Sequence, residues 1–287
     1  MRPEPLATAK VAGIALERRG HGQPLLLLHG TGGSRYHWSP LIHLLAPRRE
    51  LLLVDLPGHG DSDPQPDGSP LTAAGYARQL AALLEELGLA SVHVAGNSMG
   101  GWTGLELAKL GRARSVVALA PAGLWRRRAP KSSILKLQGQ YRLGRLCSPL
   151  LPRMLQTGYG RQLILGPVVA KPRQVPPAAA IEIVSTYVRT STFGQHLAAT
   201  RSERFRDGAA IHVPVTVAWG ERERLIPKSA RHRAELPAHT RYMALPECGH
   251  LPMWDNPKLV AEMILDGTGS ARMSDPREAS PAGPTVE

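Results

Sequence analysis

The sequence predicts an α/β fold: a mostly parallel sheet with flanking helices, interrupted by an inserted helical segment. Three observations carry this reading. Short, nearly continuous apolar runs recur at residues 25–28, 51–54, 92–95 and 116–119, the pattern of strands buried on both faces of a parallel sheet. Stretches of helical periodicity separate several of them. The alternation stops at residue 122 and resumes at residue 213, so the segment between reads as an insertion.

Each element has a local reason. Residues 10–14 and 14–19, on either side of Gly13, are expected to form a hairpin that starts the sheet. Residues 71–87 carry apolar positions at helical spacing, with Thr72 as N-cap and Gly88 as the C-terminal glycine. Residues 99–110 form a similar helix. Beyond the interruption, 213–219 is read as a strand, 228–236 as a helix and 241–245 as a strand, and Pro257 opens a last helix through Ile264. The expected division is therefore an α/β core of residues 1–121 and 209–266, a helical cap of residues 122–208, and a disordered tail of residues 267–287.

Composition bounds the function. A chain of 287 residues, 43% apolar and 20% charged, resembles an ordinary soluble domain large enough to build a core. No apolar run approaches the roughly 18 residues of a membrane-spanning helix. Met1 to Lys10 holds two prolines where a signal peptide would be apolar, and a cytoplasmic location is the expectation. Cys147 and Cys248 are too few for a disulfide scaffold and show no zinc-ligand pattern, so free thiols and no metal are expected.

Net charge is +12, and residues 122–208, with 15 Lys and Arg against three acidic residues, hold the whole excess. Arg126 to Arg128, Arg142, Arg145, Arg153 and Arg161 are interleaved with Leu143, Leu146, Leu150, Leu151, Met154 and Leu155. Three partners fit a stretch both basic and apolar: an anionic substrate, an anionic membrane surface, or an acidic carrier protein that delivers a thioester. A solvated arginine-rich face is the plain alternative. Nucleic acid is not expected, because the segment has few aromatics for stacking and no binding module.

Gly96-Asn97-Ser98-Met99-Gly100 lies between an apolar strand and a helical stretch. Glycines two residues either side of a serine permit a strained strand-to-helix turn that exposes Oγ, and the following helix N-terminus favours a developing oxyanion. Ser98 is the candidate nucleophile. Leu28-His29-Gly30-Thr31-Gly32-Gly33 closes an earlier strand without the spacing of a dinucleotide or nucleotide-phosphate loop. The amides of Thr31 and Met99 are the expected oxyanion hole. A serine nucleophile needs a base, and the base an orienting carboxylate. His250, in Cys248-Gly249-His250 beyond the last strand, is the candidate base; Glu223 and Glu221, just after Trp219, are the candidate acids.

Taken in order, His29-Gly30-Thr31-Gly32-Gly33, the loop from Asp55 to Ser62, Gly96-Asn97-Ser98-Met99-Gly100-Gly101, the run from Trp219 through Glu223 to Pro227, and Gly249-His250 resemble the α/β-hydrolase superfamily over roughly residues 10 to 266. The resemblance implies an acid four residues after the tryptophan, which is Glu223, where the family usually has aspartate. It implies a structural role for Asp55 and His59. Ser98 separates the chain from the dehalogenases and epoxide hydrolases of the superfamily, which need a carboxylate nucleophile. The serine and histidine motifs also resemble those of carbon–carbon bond hydrolases, with Leu251 where their pattern has tryptophan. Haloperoxidase-like and hydroxynitrile lyase-like relatives use the same triad.

The expectation is a cofactor-free serine hydrolase that cleaves a small-molecule ester, lactone or thioester through an acyl-enzyme. A cyclase or acyltransferase on the same triad, a carbon–carbon bond hydrolase and a non-catalytic ligand-binding protein are the alternatives.

Overall fold

The computed structural model describes residues 9–65 and 71–269. Its strands are β1 (Ala9–Val11), β2 (Ile14–Gly20), β3 (Pro24–Leu28), β4 (Glu50–Val54), β5 (Val92–Asn97), β6 (Ala113–Leu119), β7 (Val215–Gly220) and β8 (Arg241–Leu245). The helices are α1 (Ile42–Leu45), α2 (Ala73–Glu86), α3 (Met99–Lys109), α4 (Lys131–Leu146), α5 (Leu151–Gln156), α6 (Gly158–Leu165), α7 (Pro177–Arg189), α8 (Phe193–Ser202), α9 (Pro252–Asp255) and α10 (Pro257–Gly267). The strands form one sheet in the order β1-β2-β4-β3-β5-β6-β7-β8. The β1–β2 hairpin is antiparallel and β2 meets β4 antiparallel; every pairing from β4 to β8 is parallel.

Strand residues alternate between two apolar cores, as a period of two requires. Leu26, Leu28, Leu52, Val54 and Val94 cluster with Tyr76 and Leu80 of α2 and Leu105 of α3. Leu25, Leu27, Leu51, Leu53 and Ala95 cluster with Trp38, Leu41, and Val260 and Ile264 of α10. Helices therefore cover both faces, which is why the strands read as continuous apolar runs. The caps follow the sequence signals: Gly75 donates to Thr72 Oγ1 at 3.1 Å, and Leu259 donates to Asn256 Oδ1 at 3.2 Å ahead of a helix opened by Pro257.

Two expectations are corrected. The helix expected at 228–236 shortens to a single turn, Lys228–Ala230. His232 N–H donates to Leu124 O at 2.8 Å instead of to a carbonyl one turn back. Arg231 bonds Ile226 O through Nη2 at 2.7 Å and lies over the Trp219 ring at 4.6 Å, contacts that require an open chain. The expected tail begins too early, because α10 runs to Gly267 and Arg49 Nη2 donates to Thr268 O at 2.6 Å. The rest of that tail, residues 270–287, lies outside the described residues, as do 1–8 and 66–70. Among the described residues no helix is long and apolar enough to cross a membrane.

Helices α4 to α8 all fall between β6 and β7. Tyr141 of α4 stacks on Phe193 of α8 with ring centres 4.3 Å apart, and Tyr187 of α7 meets Phe193 edge-on at 5.0 Å. This aromatic trio joins three inserted helices at one point.

Below it, buried imidazoles stand in a row. Ring centres are 6.4 Å apart for His29 and His37, 5.1 Å for His29 and His59, and 4.1 Å for His59 and His196. Leu56 N–H donates to His29 Nε2 at 2.9 Å, so that nitrogen is an unprotonated acceptor. Burial lowers the pKa of all four, to about 4 for His37 and about 4 for His59. An unfolded histidine takes up its proton near pH ~6.5. Between the two values the unfolded chain binds more protons, so stability falls as pH drops through that window. Thermal unfolding followed by circular dichroism should show Tm falling from about pH 6.5 downward, before ordinary carboxylates titrate near ~4. A Tm that stays constant down to about pH 5 would contradict the neutral state assigned to this row.

Candidate active site

At the end of β5 the chain turns so sharply that only glycine fits on either side of Ser98. A Cβ at Gly96 would lie 2.2 Å from Gly100 O, and one at Gly100 would lie 2.2 Å from Leu28 O. Ser98 has φ 55° and ψ −114°, a left-handed backbone that costs of order 1–3 kcal/mol and is held by its surroundings. Ser98 N–H donates to Leu119 O at 2.9 Å, and Ser98 O accepts from Ala122 N at 3.0 Å and Trp102 N at 3.1 Å. The turn is thus bonded to the end of β6 and to the first turn of α3. Gly30 belongs to the same crowding, since a Cβ there would come within 3.0 Å of Ser98 Cβ.

His250 Nδ1 and Glu223 Oε2 lie 2.7 Å apart, with both side chains buried. Burial opposes the charge on Glu223, but His250 and the amides of Leu225 and Ile226, which donate to Oε1 at 2.7 and 3.1 Å, outweigh it and hold the carboxyl below its usual range. Glu221 is exposed and turns away, its Oε2 3.3 Å from Glu247 N.

Two residues that the sequence reading passed over hold the histidine loop. Asn97 Nδ2 donates to His250 O at 2.9 Å and to Leu119 O at 3.1 Å, joining the residue before Ser98 to the loop of His250. Asp255, buried, accepts from Gly249 N at 2.8 Å, Ala170 N at 3.1 Å and Lys171 N at 2.7 Å. Burial raises the pKa of Asp255 against these bonds. Nothing in the local sequence around Asn97 or Asp255 marks partners that lie more than 80 residues away for Ala170 and Lys171 and 153 away for His250.

Ser98, His250, Asn97 and Thr31 line one cavity of about 360 Å³. Its far walls are apolar side chains of the inserted helices, among them Leu143, Met154, Leu163 and Val184. Ser98 and His250 share the cavity wall without a hydrogen bond between their side chains. Met99, buried, is the first residue of α3, where helix geometry leaves the amide without an intrahelical acceptor. Asp55 and His59 do not line this cavity. Asp55 accepts from the Arg35 and Asp61 amides at 2.7 and 2.9 Å and pairs with the Arg35 guanidinium, which is a scaffold role.

His37 is the other residue the sequence did not single out. It lines the cavity, buried, and among the described residues neither ring nitrogen has a hydrogen-bond partner. A Cβ at Gly33 would press on its ring at 2.6 Å, and a Cβ at Gly32 would meet the Tyr187 ring at 2.4 Å. The glycines of this loop therefore let His37 and α7 close over the site. Among the described residues no three His, Cys, Asp or Glu side chains are grouped as metal ligands, and Cys147 and Cys248 are both free.

Residues 25–263 match the family model described as "Alpha/beta hydrolase family". The chain belongs to this family. It is 32% identical over 200 residues to the epoxide hydrolase EphH of Mycobacterium tuberculosis, covering 68% of this chain and 94% of that protein. It is 29% identical over 241 residues to Lipase 3 of a Moraxella species, covering 81% of this chain and 73% of the lipase. Among solved structures it resembles a bacterial membrane phospholipase A, with a TM-score of 0.70 at 25% identity, covering 90% of this chain and 84% of that one. The mostly parallel sheet and its flanking helices are the architecture of the family.

The crowding at the turn has a measurable cost. Gly100→Ala should lower the stability of this hydrolase-family chain by at least about 1–3 kcal/mol, the range for overpacking, read from urea unfolding. Gly139→Ala is the control: that glycine sits within α4 with nothing within 4 Å of a new Cβ, so it should be neutral or stabilising by up to about 1 kcal/mol. Equal effects at the two positions would contradict the packing described.

Proposed function

We propose that the protein is a serine hydrolase that cleaves an ester, lactone or thioester through an acyl-enzyme. The observation that carries this reading is the buried 2.7 Å contact of Glu223 Oε2 with Nδ1 of His250, a residue that lines one cavity together with Ser98. A carboxylate on Nδ1 fixes the imidazole with its other nitrogen free to take a proton.

In this mechanism His250 removes the proton of Ser98 Oγ as that oxygen attacks the acyl carbon. The amides of Thr31 and Met99 stabilise the oxyanion. Glu223 stabilises the imidazolium without being protonated itself. The tetrahedral adduct collapses as His250 returns the proton to the leaving alcohol or thiol. Water, deprotonated by His250, then releases the acid and restores Ser98. The cavity's apolar far wall fits the hydrocarbon part of an acyl group, in keeping with the lipase among the relatives.

The epoxide hydrolase among the relatives raises a second reading, which the nucleophile disfavours. Ring opening by a carboxylate leaves an ester that water can hydrolyse, whereas opening by Ser98 would leave an ether that it cannot.

Ser98→Ala should lose turnover of p-nitrophenyl esters by on the order of 10⁴-fold or more while keeping its Tm, and should no longer take a fluorophosphonate label. His250→Ala should lose as much, and the double variant no more, because the pair acts as a unit. Near-normal turnover in Ser98→Ala would refute the mechanism. Glu223→Gln should cost on the order of 10²-fold or more in kcat, and Glu221→Gln should leave kcat essentially unchanged. The reverse order would remove Glu223 from the proposed role.

A further inference from the structure

The inserted helices carry a surface whose chemistry the proposed reaction does not use. Leu135, Leu143 and Leu146 of α4, Leu150 before α5, and Tyr159 and Leu163 of α6 are 55% to 80% exposed. Apart from Leu110, these are the exposed large hydrophobic residues of the described chain. Clustered exposed apolar side chains of this size mark a surface with a partner.

The same helices are basic. Between Glu106 and Glu182 the sequence contains no acidic residue. Lys136, Arg142 and Arg145 of α4 and Arg153 of α5 are exposed among the leucines. At 3.6 residues per turn, Leu135, Arg142 and Leu146 fall on one outward stripe of α4, with Leu143 and Lys136 on one flank and Arg145 on the other. The structure also sorts what the sequence ran together. Leu151 and Leu155 point inward, and Arg161 is buried, its guanidinium spent on Leu155 O and Gln156 O at 2.9 Å each. It does not belong to the basic surface.

This surface is joined to the cavity. Leu143 and Leu163 both line the cavity and are 63% and 61% exposed. One exposed leucine of α4 and one of α6 are thus shared between the cavity wall and the outer surface.

We propose that this face docks on an anionic lipid bilayer surface, with Leu143 and Leu163 against the lipid. Leucine and tyrosine side chains enter the boundary of the acyl chains, while arginine and lysine lay their stems along it and hold their charges at the phosphates. A second copy of the chain fits poorly, because it would bring the same cations face to face. An acidic carrier protein would account for the cations alone, whereas a bilayer surface accounts for the cations and also for the exposed Leu135, Leu146 and Tyr159. That an acyl chain enters Ser98's cavity directly from the lipid rests on the serine-hydrolase reading above; the docking itself does not.

The test is co-sedimentation of Ser98→Ala protein with vesicles of phosphatidylcholine alone and of phosphatidylcholine mixed with phosphatidylglycerol. At low salt the affinity for the anionic vesicles is expected to be at least about tenfold higher and to fall as salt is raised. Leu135→Asp with Leu146→Asp, and separately Arg142→Glu with Arg153→Glu, should each cut that affinity at least about tenfold. None of these four residues lines the cavity, so the same pairs made with Ser98 intact should turn over a short soluble ester as the parent does. No preference for anionic vesicles, or variants that bind like the parent, would overturn the proposal. So would a concentration-dependent dimer abolished by the leucine variants, or capture by an acidic carrier protein without vesicle binding. Vesicle binding in a protein whose serine proves inert would leave docking standing and remove only the hydrolase reading.

Discussion

The site depends on a shortage of space. Where β5 becomes α3, the backbone of Gly100 approaches the carbonyl of Leu28 on the neighbouring strand so closely that no side chain fits, and Gly96 is pressed by Gly100 in turn. That closeness brings the end of β3, the start of α3 and Ser98 into one knot. The left-handed backbone of Ser98 is its consequence, held by hydrogen bonds to Leu119, Trp102 and Ala122. Asn97 then carries the constraint outward, because its side-chain amide spans the end of β6 and the loop of His250. Ser98 and the imidazole of His250 are thus placed relative to one another by hydrogen bonds to main-chain carbonyls.

Electrostatics inside and outside this knot differ in kind. Glu223 loses water on burial and regains interaction from three donors, His250, Leu225 N and Ile226 N; a buried carboxylate without such partners would protonate. Outside, Arg222 and Lys171 both pair with Glu247 at 2.9 Å, where water screens the charges and the pairs contribute little. The row of buried histidines is a third case, in which neutrality is the cheaper state.

What the sequence made legible was what local pattern determines. The β5 run, Thr72 ahead of α2, Pro257 at the start of α10 and the glycines around Ser98 carry their signals within a few residues, and the structure has strands, caps and a tight turn there. Segment 228–236 failed because its helical periodicity lost to Arg231's contacts with Ile226 and the Trp219 ring and to the bond from His232 to Leu124, which lies more than 100 residues away. Arg161 looked like its neighbours in composition, yet it is buried on backbone carbonyls. Asn97, Asp255 and His37 were invisible for the same reason: a lone amide, carboxylate or imidazole acquires meaning only from what the fold sets beside it.

Asp255 has a consequence for how such chains diversify. Its carboxylate holds Gly249, next to His250, and also Ala170 and Lys171, in the connection between α6 and α7. Leu251 N–H adds a bond to Val168 O in the same connection. The insertion is therefore not an interchangeable cassette. A graft of foreign helices between β6 and β7 would strip two donors from a buried carboxylate and loosen the imidazole's support. A remodelled segment would keep the imidazole's support only by presenting the same two amides, those of residues 170 and 171, to Asp255.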